Sequence, residues 1–150
     1  VTAIDKNATA LVNLPHQENL TIIEYDLEVA NSVFVRGNFL FAQTFGAIVI
    51  VNYLYRPLFS ALIDALAPGG LFIYETFALG NEAYARPRNP DHLLKSGELL
   101  ELVSDQMQII AYEHGVVKNG DIPGVKQRIC AVKDLNLSKR RDHEPPAHAI

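Results

Sequence analysis

The sequence holds a single cysteine, Cys130, so it can form no internal disulfide and build no cysteine-based zinc site. One lone thiol suits a reducing compartment, and a cytoplasmic protein is expected. The longest apolar run, FGAIVIV at 45–51, is far too short to span a bilayer, and no signal-peptide pattern is visible. The five histidines (16, 92, 114, 143 and 148) show no metal-ligand spacing, so no metal is expected. No G-x-G spacing occurs among the nine glycines. Net charge is -4, and most of the 13 basic residues are scattered, which argues against a broad nucleic-acid or anionic-membrane surface. The one basic run, Lys139–Arg141, falls in a polar stretch and reads as a solvated tail.

What is present suits one domain of ordinary size. With 150 residues and 49% hydrophobic content, the chain can bury a substantial core. Val1–Ile4 reads as a strand, and Asn7–Leu14 as a short helix capped by Asn7 and ended by Pro15. Leu20–Tyr25 is β-branched and reads as a second strand. The stretch Glu28–Thr44 has no steady period and suggests loop with some extended chain. FGAIVIVNY (Phe45–Tyr53) is the clearest strand, with the continuous apolar character of one buried on both faces.

Pro57 fits the first turn of a helix carrying Leu58, Phe59, Leu62, Ile63 and Leu66, which APGG (Ala67–Gly70) stops before a second buried strand, Leu71–Phe77. Ser96 can cap a helix with Leu99, Leu100, Leu102 and Val103. Met107–Val117 and Val125–Lys133 form strands whose short Gly/Asn/Pro connection predicts an antiparallel hairpin. Cys130, inside the last strand, reads as a small core residue rather than a nucleophile. Residues 134–150 are polar and expected to be disordered. Alternating strands and helices predict an α/β fold with a mostly parallel, doubly wound sheet, to which the terminal hairpin adds one antiparallel strand.

In such sheets ligands lie beyond the carboxyl ends of the strands, so the strand tips hold the candidate residues. Asp5 ends the first strand, where it can cap the next helix or accept hydrogen bonds from ribose hydroxyls. Asp26 and Leu27 follow the second, where they can form a turn or meet an adenine amine and ring. Asn52 and Tyr53 follow the third, and Glu75 ends the fourth. Polar groups at successive tips favour a nucleoside-type ligand.

The series VTAID, EYDLE, FGAIVIVNYL and LAPGGLFIYETF, closed by a hairpin, resembles the class I S-adenosylmethionine-dependent methyltransferases. ETFALGNEAYARPRNPDHLLKSGELLELV resembles a small bacterial, tellurite-resistance-like subgroup. The resemblance covers residues 1–133 and implies a Rossmann-like sheet binding S-adenosylmethionine. It implies that Asp5 holds the cofactor ribose, that Asp26 and Leu27 contact adenine, and that Asn52 and Tyr53 border the methionine moiety and the substrate. Gly46 departs from the family pattern, where many members carry an acid.

A second departure is larger. The family's first strand and glycine-rich loop have no counterpart in this sequence, which aligns from the second strand onward, and the only methionine is Met107. The expectation is therefore an N-terminally truncated fragment: a partial methyltransferase domain at 1–133 and a tail at 134–150. The implied activity is methyl transfer to a small-molecule acceptor, with Tyr55, Arg56, Glu75 and Arg86 as substrate-side candidates and no catalytic residue assigned. The loop bearing Asn81, Glu82, Tyr84 and Arg86 could close over that acceptor, and no oligomeric state is implied. Two rivals remain open at this level: a nicotinamide-dependent Rossmann oxidoreductase, and a non-catalytic remnant serving as an interaction module.

Overall fold

The computed structural model describes residues 1–7, 9, 11, 18–29, 33–104, 106–118 and 123–133. The chain forms two compact units, Val1–Ala42 and Gln43–Ile150. The first contains two short strands, β1 (Thr2–Asp5) and β2 (Thr21–Glu24), paired in parallel with Thr2 opposite Thr21 and Asp5 opposite Glu24. Most of the helix expected at 7–14 lies outside the described residues. The stretch from Glu28 to Thr44, expected to be partly extended, runs as turns and bends where it is described. Tyr25 meets Phe39 edge-on there, at 5.2 Å between ring centroids.

The second unit contains β3 (Phe45–Val51), α1 (Phe59–Asp64), β4 (Leu66–Phe77), α2 (Glu98–Val103), β5 (Gln108–Val117) and β6 (Gly124–Val132). Its sheet has the order β3-β4-β6-β5. β3 and β4 are parallel, whereas β6 runs antiparallel to both β4 and β5. The predicted hairpin is present, and its second strand is the antiparallel member inserted beside β4.

β3 and β4 are not buried on both faces as their composition suggests. From Leu71 onward β4 alternates strictly: Phe72, Tyr74 and Thr76 are buried, while Leu71 and Ile73 are partly open. In β3 the same alternation leaves Val49 and Val51 exposed, at 61% and 57%. The covered face packs against α1 and α2 through Leu54, Ile63, Leu66, Leu94, Leu99 and Val103. Burying a side chain such as Phe72 contributes about 1.5–3 kcal/mol relative to exposure, so this one face supplies most of the unit's cohesion. Cys130 is half-buried within β6, on the more open face.

The two helix boundaries also differ from expectation. α1 stops at Asp64, before APGG, because β4 already begins at Leu66. Phe45 pairs with Leu66 and Ala47 with Leu71, so Ala67–Gly70 bulge opposite the single residue Gly46. Gly69 takes a left-handed φ of 76°, and its N–H donates to the Lys133 carbonyl at 2.6 Å. The Lys133 ammonium in turn donates to the carbonyls of Ile63 (2.6 Å) and Asp64 (3.2 Å), which end α1, and to that of Leu66 (2.9 Å) at the start of β4. α2 is entered through left-handed Gly97 rather than capped by Ser96, and the Glu98 carboxylate accepts from the Lys95 N–H at 2.7 Å.

Candidate functional site

In the first unit, the parallel register brings Asp5 and Glu24 level, and the Tyr25 N–H donates to the Asp5 carbonyl at 3.0 Å. Asp26 follows directly, so Asp5, Asp26 and Leu27 share the carboxyl edge of this strand pair. Each carboxylate also organises its own turn. Asp5 Oδ1 accepts from the Asn7 N–H at 2.8 Å, and Asp26 Oδ1 from the Glu28 N–H at 2.9 Å. Both aspartates are exposed and Leu27 is half-buried. One oxygen of each thus fixes the loop while the carboxylate stays open to solvent, an arrangement able to receive hydroxyl or amine donors.

In the second unit, the tips of β3 and β4 are tied together. Asn52 adopts a left-handed φ of 53°, and its N–H donates to the Glu75 carbonyl at 2.8 Å. Its side-chain oxygen accepts from Lys126 Nζ at 3.0 Å. Lys126 also donates to Glu75 Oε1 and lies 4.9 Å from the centre of the Phe77 ring. Glu75 Oε2 accepts from Arg128 Nε at 2.5 Å, and Arg128 reaches Glu113 at 3.2 Å. Burial pushes the Glu75 carboxyl up, but the hydrogen bonds from Lys126 and Arg128 outweigh it and hold the group below the usual carboxylate range. An ionised carboxylate shared by two cations is a weak proton acceptor.

Tyr53 and Tyr55 are half-buried just past β3. The Tyr53 carbonyl accepts from the Tyr74 hydroxyl at 2.8 Å. Burial, the largest influence on Tyr74, pushes its phenol far above the ordinary tyrosine value, so it remains a donor. Arg56 is committed to structure: it forks onto Glu98 and also donates to the carbonyls of Asp91 (2.8 Å) and Leu93 (2.9 Å). Arg86 is exposed. The loop around it is pinned from below by Asn81, which is fully buried. Asn81 donates to the Pro87 carbonyl at 3.1 Å and accepts from the Val125 N–H at 3.1 Å. These bonds fix the base of the loop that carries Glu82, Tyr84 and Arg86.

No protein-family model matches the chain, and no curated protein matches it at a significant level. Solved structures do. TehB from Haemophilus influenzae superposes with a TM-score of 0.63 at 17% identity, over 89% of this chain and 49% of that one. The N-methyltransferase NodS from Bradyrhizobium japonicum gives 0.56 at 14% identity, over 89% and 72%. A SAM-dependent methyltransferase from Methanosarcina mazei gives 0.56 at 14%, over 89% and 82%. The fold is that of the class I methyltransferases. This chain spans about half the length of TehB.

Within the methyltransferase fold, Lys126, Arg128 and Gln127 are the residues that sequence reading passed over. They fall in a strand, VKQRICAVK, whose alternation marks it as a sheet element and nothing more. Only the register, with Glu75 opposite Arg128 and Phe77 opposite Lys126, brings them to the tips of the parallel strands. Among the described residues no group of three His, Cys, Asp or Glu could hold a metal ion, and no helix is long and apolar enough to cross a membrane.

Proposed function

We propose that this chain takes part in S-adenosylmethionine-dependent methyl transfer to a small-molecule acceptor, in a reducing cytoplasm. The strand order β3-β4-β6-β5 with β6 antiparallel, in a chain that superposes on solved methyltransferases, is the observation that supports this most. It disfavours a nicotinamide enzyme, whose usual sheet continues in parallel at that position. Asp5 is the proposed ribose ligand, Asp26 and Leu27 the proposed adenine contacts, and Asn52 and Tyr53 the proposed neighbours of the methionine moiety. The exposed carboxylates of Asp5 and Asp26 fit donors of that kind.

When bound, the cofactor supplies an electrophilic methyl group. The chain's own contribution is positioning, which accounts for most of the rate in a reaction that needs in-line approach. Glu75, ion-paired at the tip of β4, serves in this reading to hold Lys126 and Arg128 rather than to take a proton. Tyr55 and Arg86 stay as acceptor-side candidates, and Arg56 acts through the loop it anchors.

Calorimetric titration of S-adenosylhomocysteine and of NAD into the purified chain tests the proposal. Saturable heat with the former alone supports methyl transfer. Heat with NAD alone overturns it in favour of an oxidoreductase, and heat with neither favours the interaction module. Asp5→Ala should weaken the S-adenosylhomocysteine response at least tenfold, as expected when a charge-assisted hydrogen bond is lost.

A further inference from the structure

We propose that the start of β6 and the end of β5 form a recognition site for a small molecule carrying a carboxylate or phosphate. A groove of about 400 Å³ lies there, lined by Glu113, His114, Lys118, Lys126, Arg128 and residues 115–117. Three cations line it against one carboxylate. Adding Glu75, which bonds Lys126 and Arg128, still leaves three positive groups to two negative ones. In a chain of net charge -4 this is a local reversal of sign.

The cations are held in place. Lys126 is fixed by Asn52 and Glu75, and Arg128 is fixed by Glu75 and Glu113, so little side-chain entropy remains to be lost when an anion arrives. Lys118, exposed just past β5, adds the third charge. Val117 pairs with Gly124 and Phe77 with Lys126, so the groove opens at the carboxyl ends of β4 and β5, the edge where sheets of this kind receive ligands. Calling the anion a methyl acceptor rests on the methyl-transfer reading above; the groove's preference for anions does not.

Sodium phosphate and disodium succinate, titrated at constant ionic strength into the 15N-labelled 150-residue chain, test the site. The expected result is saturable movement of backbone amide signals at His114–Lys118 and Lys126–Arg128 with at least one probe. Succinate alone would assign a carboxylate, and phosphate alone a phosphate. Lys118→Gln, an exposed change that leaves the Glu75 cluster intact, should weaken the response about threefold, and Lys118→Arg should restore it. Shifts that never saturate, that sodium chloride reproduces, or that scatter over the surface overturn the site. S-adenosylhomocysteine binding is read separately. Its persistence without anion binding removes this inference and spares the methyl-transfer reading; the reverse result removes the reading and leaves the anion site standing.

Discussion

Arg56 and Glu98 lie 42 residues apart and meet as a two-point fork, Nε to Oε1 at 2.6 Å and Nη2 to Oε2 at 3.0 Å. The hydrogen bond to Glu98 holds the guanidinium above its ordinary value. The Glu98 carboxyl is pushed up by burial, yet is held below its range by Arg56 and by the Lys95 N–H. Each partner therefore favours the charged state of the other.

Arg56→Lys should lower stability by about 1–2 kcal/mol, because one ammonium cannot serve the fork and two carbonyls together. The loss should couple to Glu98→Gln. A double-mutant cycle on urea midpoints should give an interaction of at least about 0.5 kcal/mol. Strict additivity of the two single changes would show that the pair does not act as a unit.

Glu75 makes acid stability testable. Its folded carboxyl titrates below the unfolded value of about 4.3, so between the two the unfolded chain binds more protons and stability rises with pH. The contribution is complete above the unfolded value and disappears as pH falls through the folded one. Glu75→Gln should therefore flatten the loss of stability below about pH 4.3 relative to wild type. Equal slopes for the two proteins in urea unfolding from pH 3 to 6 would count against the paired carboxylate.

Gln127 is fully buried in β6. It accepts from the Leu99 N–H at 3.3 Å and the Tyr112 hydroxyl at 3.1 Å, and donates to the Lys95 carbonyl at 2.6 Å. Gln127→Leu puts an apolar side chain of similar size in its place and removes all three hydrogen bonds at once. About 2–4 kcal/mol should be lost, since buried polar groups left unmade cost about 1–3 kcal/mol each and α2 can partly readjust. Hydrogen exchange at the Leu99 amide should accelerate by more than the global change in stability accounts for. Unchanged relative protection would assign Gln127 a packing role only.

The strands were legible because their apolar runs and breakers are local signals. LTIIEY, FGAIVIV, the β5 run and the β6 run all form strands within a few residues of their expected ends. Burial was not legible. A continuous run such as FGAIVIV is compatible with one covered face or two, and in β3 only one is covered. The roles of charged residues were least legible, because they depend on register. Arg56 stood among the substrate-side candidates, and only the coordinates show it forked onto Glu98, while Lys126 carried no sequence signal at all. Asp5 and Asp26 stand between these cases: their place at the strand tips was readable, while their turn-forming bonds need coordinates.

The bulge at Ala67–Gly70 yields a contrast between glycines in one ladder. A Cβ on Gly70 would stand 2.8 Å from the Ala67 carbonyl oxygen and 3.1 Å from that of Phe45. Both obstacles are backbone and cannot swing aside. Gly70→Ala should therefore cost about 1–3 kcal/mol, by the strain of overpacking. Gly69→Ala meets no atom within 4 Å but must hold φ at 76°, costing about 1–2 kcal/mol through conformation alone. Gly46, opposite the bulge, has open space and no positive φ, so Gly46→Ala should stay within about 0.5 kcal/mol of wild type. Thermal melts of the three variants separate the causes. A Gly46→Ala loss as large as that of Gly70→Ala would mean that the paired strands resist any side chain here, and the close backbone approach at Gly70 would no longer explain the motif.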